Sequence, residues 1–163
     1  MSARRVVITG LGMVSPLGLT VKDSWQAILS GQSGARPVQH FDVTDYSTKF
    51  LADVKAFDIT KYVPAKDARK MDKFTQFGIV ASQEAMVDSG LDVSVENPYR
   101  LGVAVGSGIG GLETITQSYS QLQNNGPRRV SPFFIPAGII NMVAGQISIA
   151  YGFKGPNISI VTA

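Results

Sequence analysis

Residues 131–150 (SPFFIPAGIINMVAGQISIA) carry no charged side chain. No other feature of the sequence restricts the fold so strongly. A stretch this apolar has to be covered, and a helix apolar nearly all round is buried on all sides. Pro132 and Pro136 divide the stretch, so its pattern predicts a helix from about Ile139 to Tyr151. Composition points the same way. Charged residues make up 17% of the 163, against about 25% in an average domain, and hydrophobic residues make up 44%. Two readings fit: a well-packed α/β domain, or a surface meant to be covered by a partner subunit or by further chain.

The remaining pattern alternates strands and helices. Residues 4–9 (RRVVIT) form a short β-branched run closed by Gly10, which predicts a buried first strand. Thr20 with Asp23 resembles a capping box ahead of a helix at about 21–30, with Trp25, Ile28 and Leu29 on one face and Gly31 as its stop. Residues 46–54 have extended character. A longer helix follows at about 72–89, ended by Gly90, with Phe74, Phe77, Gly78, Ala81, Ala85 and Met86 at helical spacing. Residues 101–105, apolar throughout, read as a strand of a sheet covered on both faces. A helix at about 112–122 precedes the turn at 124–127, and residues 157–163 (NISIVTA) repeat the strand pattern. Ending on a buried strand without a polar tail is unusual for a whole domain. The economical architecture is a mainly parallel sheet covered by helices on both faces.

Several function classes are disfavoured. With no cysteine, disulfides and thiolate metal sites are excluded, and His40 alone builds no zinc site. A net charge of +3 without a dense basic stripe argues against nucleic acid as a partner. No run of about 18 apolar residues is present to span a membrane. The start, Met-Ser-Ala-Arg-Arg, leads straight into a strand pattern, not a signal segment. The expectation is a cytoplasmic protein with no metal and no cofactor.

The motifs each allow two readings. Residues 106–111 (GSGIGG) satisfy the G-x-G-x-x-G spacing between a strand and a helix, as in dinucleotide-binding loops. The acidic residue expected about 20 positions later is missing. Arg128 and Arg129 near that distance leave an NADP-type reading open, although glycines that permit a tight turn and close packing are the commoner case. Lys66, Arg69 and Lys70 cluster in one turn, and Arg128 and Arg129 form a second basic pair. Such charges form either a solvated face or a docking patch for an acidic partner. Residues 133–136 (FFIP) are either core or an interface or lipid-tail pocket. No Ser/His/Asp set and no paired carboxylates at a useful spacing occur.

Taken together, residues 4–18 (RRVVITGLGMVSPLG), 69–74 (RKMDKF), 78–81 (GIVA), 106–111 (GSGIGG), 126–131 (GPRRVS), 141–145 (NMVAG) and 155–163 (GPNISIVTA) resemble the β-ketoacyl-[acyl carrier protein] synthases. The forms MVSPLG and DKFTQFGIVA are more similar to the type II elongation enzymes than to type I. The resemblance implies a thiolase-like fold of two similar halves, of which residues 1–163 would be an incomplete amino-terminal part, and a homodimer. It implies a decarboxylative Claisen condensation of an acyl thioester with malonyl-[acyl carrier protein], with a cysteine nucleophile at a helix N-terminus and two later histidines. The family motif reads T-A-C, of which Thr162-Ala163 is present here, so no catalytic residue is assigned and the 163-residue chain is expected to be inactive by itself. By position, Ile109 matches a residue at the deep end of the acyl pocket, and Phe134 an aromatic that reaches that pocket from the partner subunit. Lys66, Arg69, Lys70, Arg128 and Arg129 match basic positions that dock the acidic acyl carrier protein. The alternatives are a non-catalytic, chain-length-factor-like partner and an NADP-binding oxidoreductase fragment. Half of a duplicated fold is also expected to self-associate, through residues 131–150.

Overall fold

A computed structural model describes residues 4–162. In chain order its elements are helix α1 (Val21–Leu29), strands β1 (Arg36–Pro37) and β2 (Phe50–Leu51), helices α2 (Ala65–Ala68) and α3 (Lys73–Ser89), strand β3 (Val103–Gly106), helices α4 (Leu112–Asn125), α5 (Phe134–Gly138) and α6 (Asn141–Tyr151), and strand β4 (Asn157–Ile160). Short 3-10 turns lie at Ile59–Lys61, Pro98–Arg100 and Pro127–Arg129. The chain forms two compact units. One takes residues up to Asp58 with Ala81–Gly90, and the other takes Ile59–Val80 with residues from Leu91 onward. Ala163 of the Thr-Ala motif and the Met-Ser-Ala start lie outside the described residues.

In the first unit, α1 begins where its cap predicts: Thr20 Oγ1 accepts the Asp23 N–H at 3.1 Å. Its buried residues are Ser24 and Ala27, whereas the expected apolar face of Trp25, Ile28 and Leu29 is exposed. Strands β1 and β2 pair antiparallel. Residues 10–20 run along the second half of α3, held by carboxylates. Glu84 accepts the Met13 and Val21 N–H groups, both at 2.8 Å, and Asp88 accepts that of Leu11 at 2.8 Å. The approach is close enough that a Cβ on Gly12 would fall 1.8 Å from the Ala81 carbonyl oxygen.

The predicted first strand at 4–9 is not formed. It pairs with no strand among the described residues, and Val6, Val7 and Ile8 are exposed. A β-branched run supplies extended preference, but a ladder needs a partner in register, and that is a non-local property.

The second unit holds the parallel pair. Strand β3 pairs β4 in the register Val103↔Asn157 to Gly106↔Ile160, and the connection runs through α4, α5 and α6. Such a crossover is what a parallel pair requires. Helix α6 packs against both strands. Alternation along β4 turns Asn157 and Ser159 toward α6, and Asn157 Nδ2 donates to Ser148 Oγ at 2.7 Å. Ile158 and Ile160 point the other way and are about half exposed. Within this unit, therefore, one face of the pair is covered and the other is open to solvent.

The core gathers Ile79, Val80, Ala137, Val143, Ala144 and Ile147. Gly78 lets α3 approach α6, since a Cβ there would meet Val143 Cγ1 at 2.6 Å. Burial of α6 on all sides does not hold inside the unit, because Ile149 is 75% exposed. An apolar helix in a unit with few layers can cover only one stripe. Among the described residues, no helix is long and apolar enough to cross a membrane.

Candidate functional site

An open groove of about 930 Å³ lies in the second unit, between the start of α3, the outer side of α4 and residues 129–137. Arg69 and Arg129 line it together with Phe133 and Phe134. Three of the expected site residues, Arg69, Arg129 and Phe134, are thus brought into one depression. The other four, Lys66, Lys70, Arg128 and Ile109, do not line it.

Each lining residue is placed by local chemistry. Pro64 precedes α2 and fixes its entry, and Arg69 caps the end of that helix. Gln76 Nε2 donates to the carbonyls of Ala68 at 3.2 Å and Met71 at 3.1 Å, tying the residues around Arg69 to α3. Lys70 is partnered: Nζ donates to Asp67 Oδ1 at 2.8 Å and lies 5.7 Å from the centre of the Phe133 ring. The hydrogen bond from Lys70 holds the Asp67 carboxyl below its ordinary range, with Lys66 adding a smaller attraction. Lys66, Arg128 and Arg129 are exposed.

On the opposite wall, Lys73 Nζ stands 3.5 Å from Glu113 Oε2. Neither was anticipated from the sequence as part of a site, although Lys73 belongs to the RKMDKF motif. Phe133 and Phe134 follow an ordinary turn, in which Ser131 Oγ accepts the Phe133 N–H at 3.1 Å and the Ser131 carbonyl accepts that of Phe134 at 3.0 Å. Phe133 is 43% exposed and Phe134 half-buried, so the aromatic patch is groove wall and not core.

The 106–111 loop owes at least two of its glycines to packing. Gly110 has φ +93°, and a Cβ on Gly111 would come 2.7 Å from Gly138 Cα and 2.9 Å from Asp72 Oδ2. Ile109 is 63% exposed on this loop. Chemically, the groove offers guanidinium groups, hydroxyls and aromatic faces, with the Asp72 and Glu113 carboxylates also in its lining. Within it Thr114 Oγ1 donates to Asp72 Oδ2, and among the described residues no cluster of three or more His, Cys, Asp or Glu could hold a metal.

Comparison with known proteins gives this arrangement a context. Residues 3–163 match the family described as Beta-ketoacyl synthase, N-terminal domain. A 3-oxoacyl-[acyl-carrier-protein] synthase 2 of Vibrio harveyi is 58% identical over all 163 residues. The chain spans 39% of that relative's length. Among solved structures, a type II PKS acyl-carrier protein in complex with its ketosynthase bound to the hexaketide matches at TM-score 0.77 and 29% identity, over 93% of this chain and 40% of that one. The ishigamide ketosynthase/chain length factor matches in fold at TM-score 0.83 and 24% identity, over 99% of this chain and 40% of that one. With a family match running from residue 3 to residue 163, the chain belongs to the β-ketoacyl synthases and has the thiolase-like architecture of their N-terminal domain.

Proposed function

We propose that residues 1–163 are the amino-terminal part of one condensing-enzyme domain of a 3-oxoacyl-[acyl carrier protein] synthase. The complete protein would elongate fatty acyl chains by decarboxylative condensation of an acyl thioester with malonyl-[acyl carrier protein]. One observation carries the docking part of this reading: Arg69 and Arg129 meet in a single groove with Phe133 and Phe134. Cations on a groove rim steer an acidic protein to it, and the aromatic wall offers apolar contact once it arrives. Lys66 and Arg128, both exposed, extend the same cationic character along the neighbouring surface, whereas Lys70 is engaged with Asp67. In this reading Ile109 and the partner subunit's Phe134 border the acyl chain, the complete enzyme is a homodimer working in the cytoplasm, and no cofactor takes part.

The test uses the complete enzyme. Arg69→Glu and Arg129→Glu are each expected to weaken acyl carrier protein binding by about tenfold at low salt, with the deficit shrinking as salt screens the charges. An unchanged affinity would remove the docking assignment. A complete protein that condenses no acyl and malonyl thioesters would remove the enzymatic reading itself.

A further inference from the structure

Among the described residues, Asp72 is the only buried carboxylate, at 9% exposure. Its two oxygens do different things. Oδ1 accepts the Phe74 N–H at 3.3 Å and so caps the start of α3. Oδ2 accepts both the backbone N–H of Thr114 at 2.9 Å and its hydroxyl at 2.6 Å. One carboxylate therefore joins the start of α3 to the first turn of α4. The 106–111 loop enters α4 immediately before that turn. At the same junction the Gly111 N–H donates to the Gly138 carbonyl at 2.9 Å, which ties the loop to the end of α5. Upstream, the Gly110 N–H donates to Ser107 Oγ at 3.1 Å. Ile109 thus sits between fixed points, and Phe134 begins the helix that closes the far side of the junction.

We propose that Asp72 is a positioning residue that fixes the 106–111 loop, and with it Ile109, at the start of α4, and thereby sets the acyl-length selectivity of the complete enzyme. The inference rests on the reading that Ile109 borders the acyl chain. A carboxylate suits the task because three donors converge on it. An amide has a single acceptor oxygen, so Asp72→Asn must turn an N–H₂ group toward either Phe74 N–H or Thr114 N–H.

The experiment compares kcat/KM for a short and a long saturated acyl-[acyl carrier protein] in the complete enzyme. Asp72→Asn and Thr114→Val are expected to change the long-to-short ratio by about threefold or more. Thr114→Ser, which keeps the hydroxyl donor, is expected to retain the wild-type ratio. Should Asp72→Asn not fold, Thr114→Val carries the test, since it removes one hydroxyl and leaves the backbone bond. An unchanged ratio, or an equal loss for both chain lengths, would overturn the proposal. Ile109→Phe in the same assay separates the two levels. If it shifts the ratio and the Asp72 and Thr114 variants do not, only the positioning role fails. If it leaves the ratio unchanged, the pocket reading beneath it fails.

Discussion

Arg36 and Asp53 form a two-point ion pair in the first unit, with Nε–Oδ1 at 2.6 Å and a second guanidinium nitrogen on Oδ2. His40 Nε2 lies 4.0 Å from the same oxygen. The hydrogen bond from Arg36 is the main reason the Asp53 carboxyl sits below its ordinary value of 3.8; partial burial opposes the shift, and the guanidinium and imidazole charges assist it. The direction decides how the pair responds to acid. A carboxyl that is a stronger acid in the folded state binds fewer protons there than in the unfolded chain, so stability falls as the pH falls. The contribution is whole above the unfolded value and is lost as the pH drops through the depressed folded value. Asp53→Asn is expected to lower Tm near neutral pH, and the gap to wild type is expected to close below about pH 4. A gap that persists unchanged to lower pH would show that the pair does not titrate with folding. Nothing in the sequence marked these residues as partners, because Arg36 lies in a two-residue strand, paired with Leu51, that is too short to show any periodicity.

The helices were legible because their signals are local. The Thr20 cap, the apolar spacing of 73–89 and the glycine that ends α3 lie within a few residues of what they determine, and α1, α3 and α4 fall close to their predicted spans. Two differences have different causes. Strand formation at 4–9 depends on a partner that the run itself cannot specify. Helix α5 runs through Pro136, which the sequence pattern gives as a divider, because in the first turn of a helix the missing N–H has no partner to lose. The site was legible in the same uneven way. The RKMDKF and GPRRVS motifs marked Arg69 and Arg129, while Asp72 looked like one more charged residue until its 42-residue reach to Thr114 was seen. The close contact between residues 10–13 and α3 gives an element-scale prediction. Gly12→Ala must push the loop off Ala81, straining the Glu84 bonds to Met13 and Val21, and is expected to cost about 1–3 kcal/mol in urea unfolding. Gly145→Ala, in α6 with open space around it, is expected to gain about 0.5–1 kcal/mol. Equal effects from the two substitutions would mean that the loop is not packed as described.

At the scale of the whole molecule, the question is what apolar surface remains after each unit has folded. Helix α4 buries no residue; Leu112, Ile115, Tyr119 and Leu122 recur at helical spacing along it, and all four are exposed. Ile135, Ile139 and Ile149 of the uncharged stretch are exposed as well, and so are Ile158 and Ile160 on the open side of β4. Single exposed apolar residues are ordinary, but aligned ones on regular elements mark surfaces that other protein covers. The opposing force is weak: a net charge of +3 spread over 163 residues supplies little repulsion between copies. The 163-residue chain, prepared alone, is therefore expected to self-associate at micromolar concentration, as seen by sedimentation velocity. Ile115→Lys with Tyr119→Lys is expected to reduce that association, because it places two charges in the middle of the α4 stripe without touching the core. A clean monomer for the unmodified chain would mean that these apolar side chains are not presented together. Association undiminished by the two lysines would move the sticky surface from α4 to the open face of β4 or to residues 135–149.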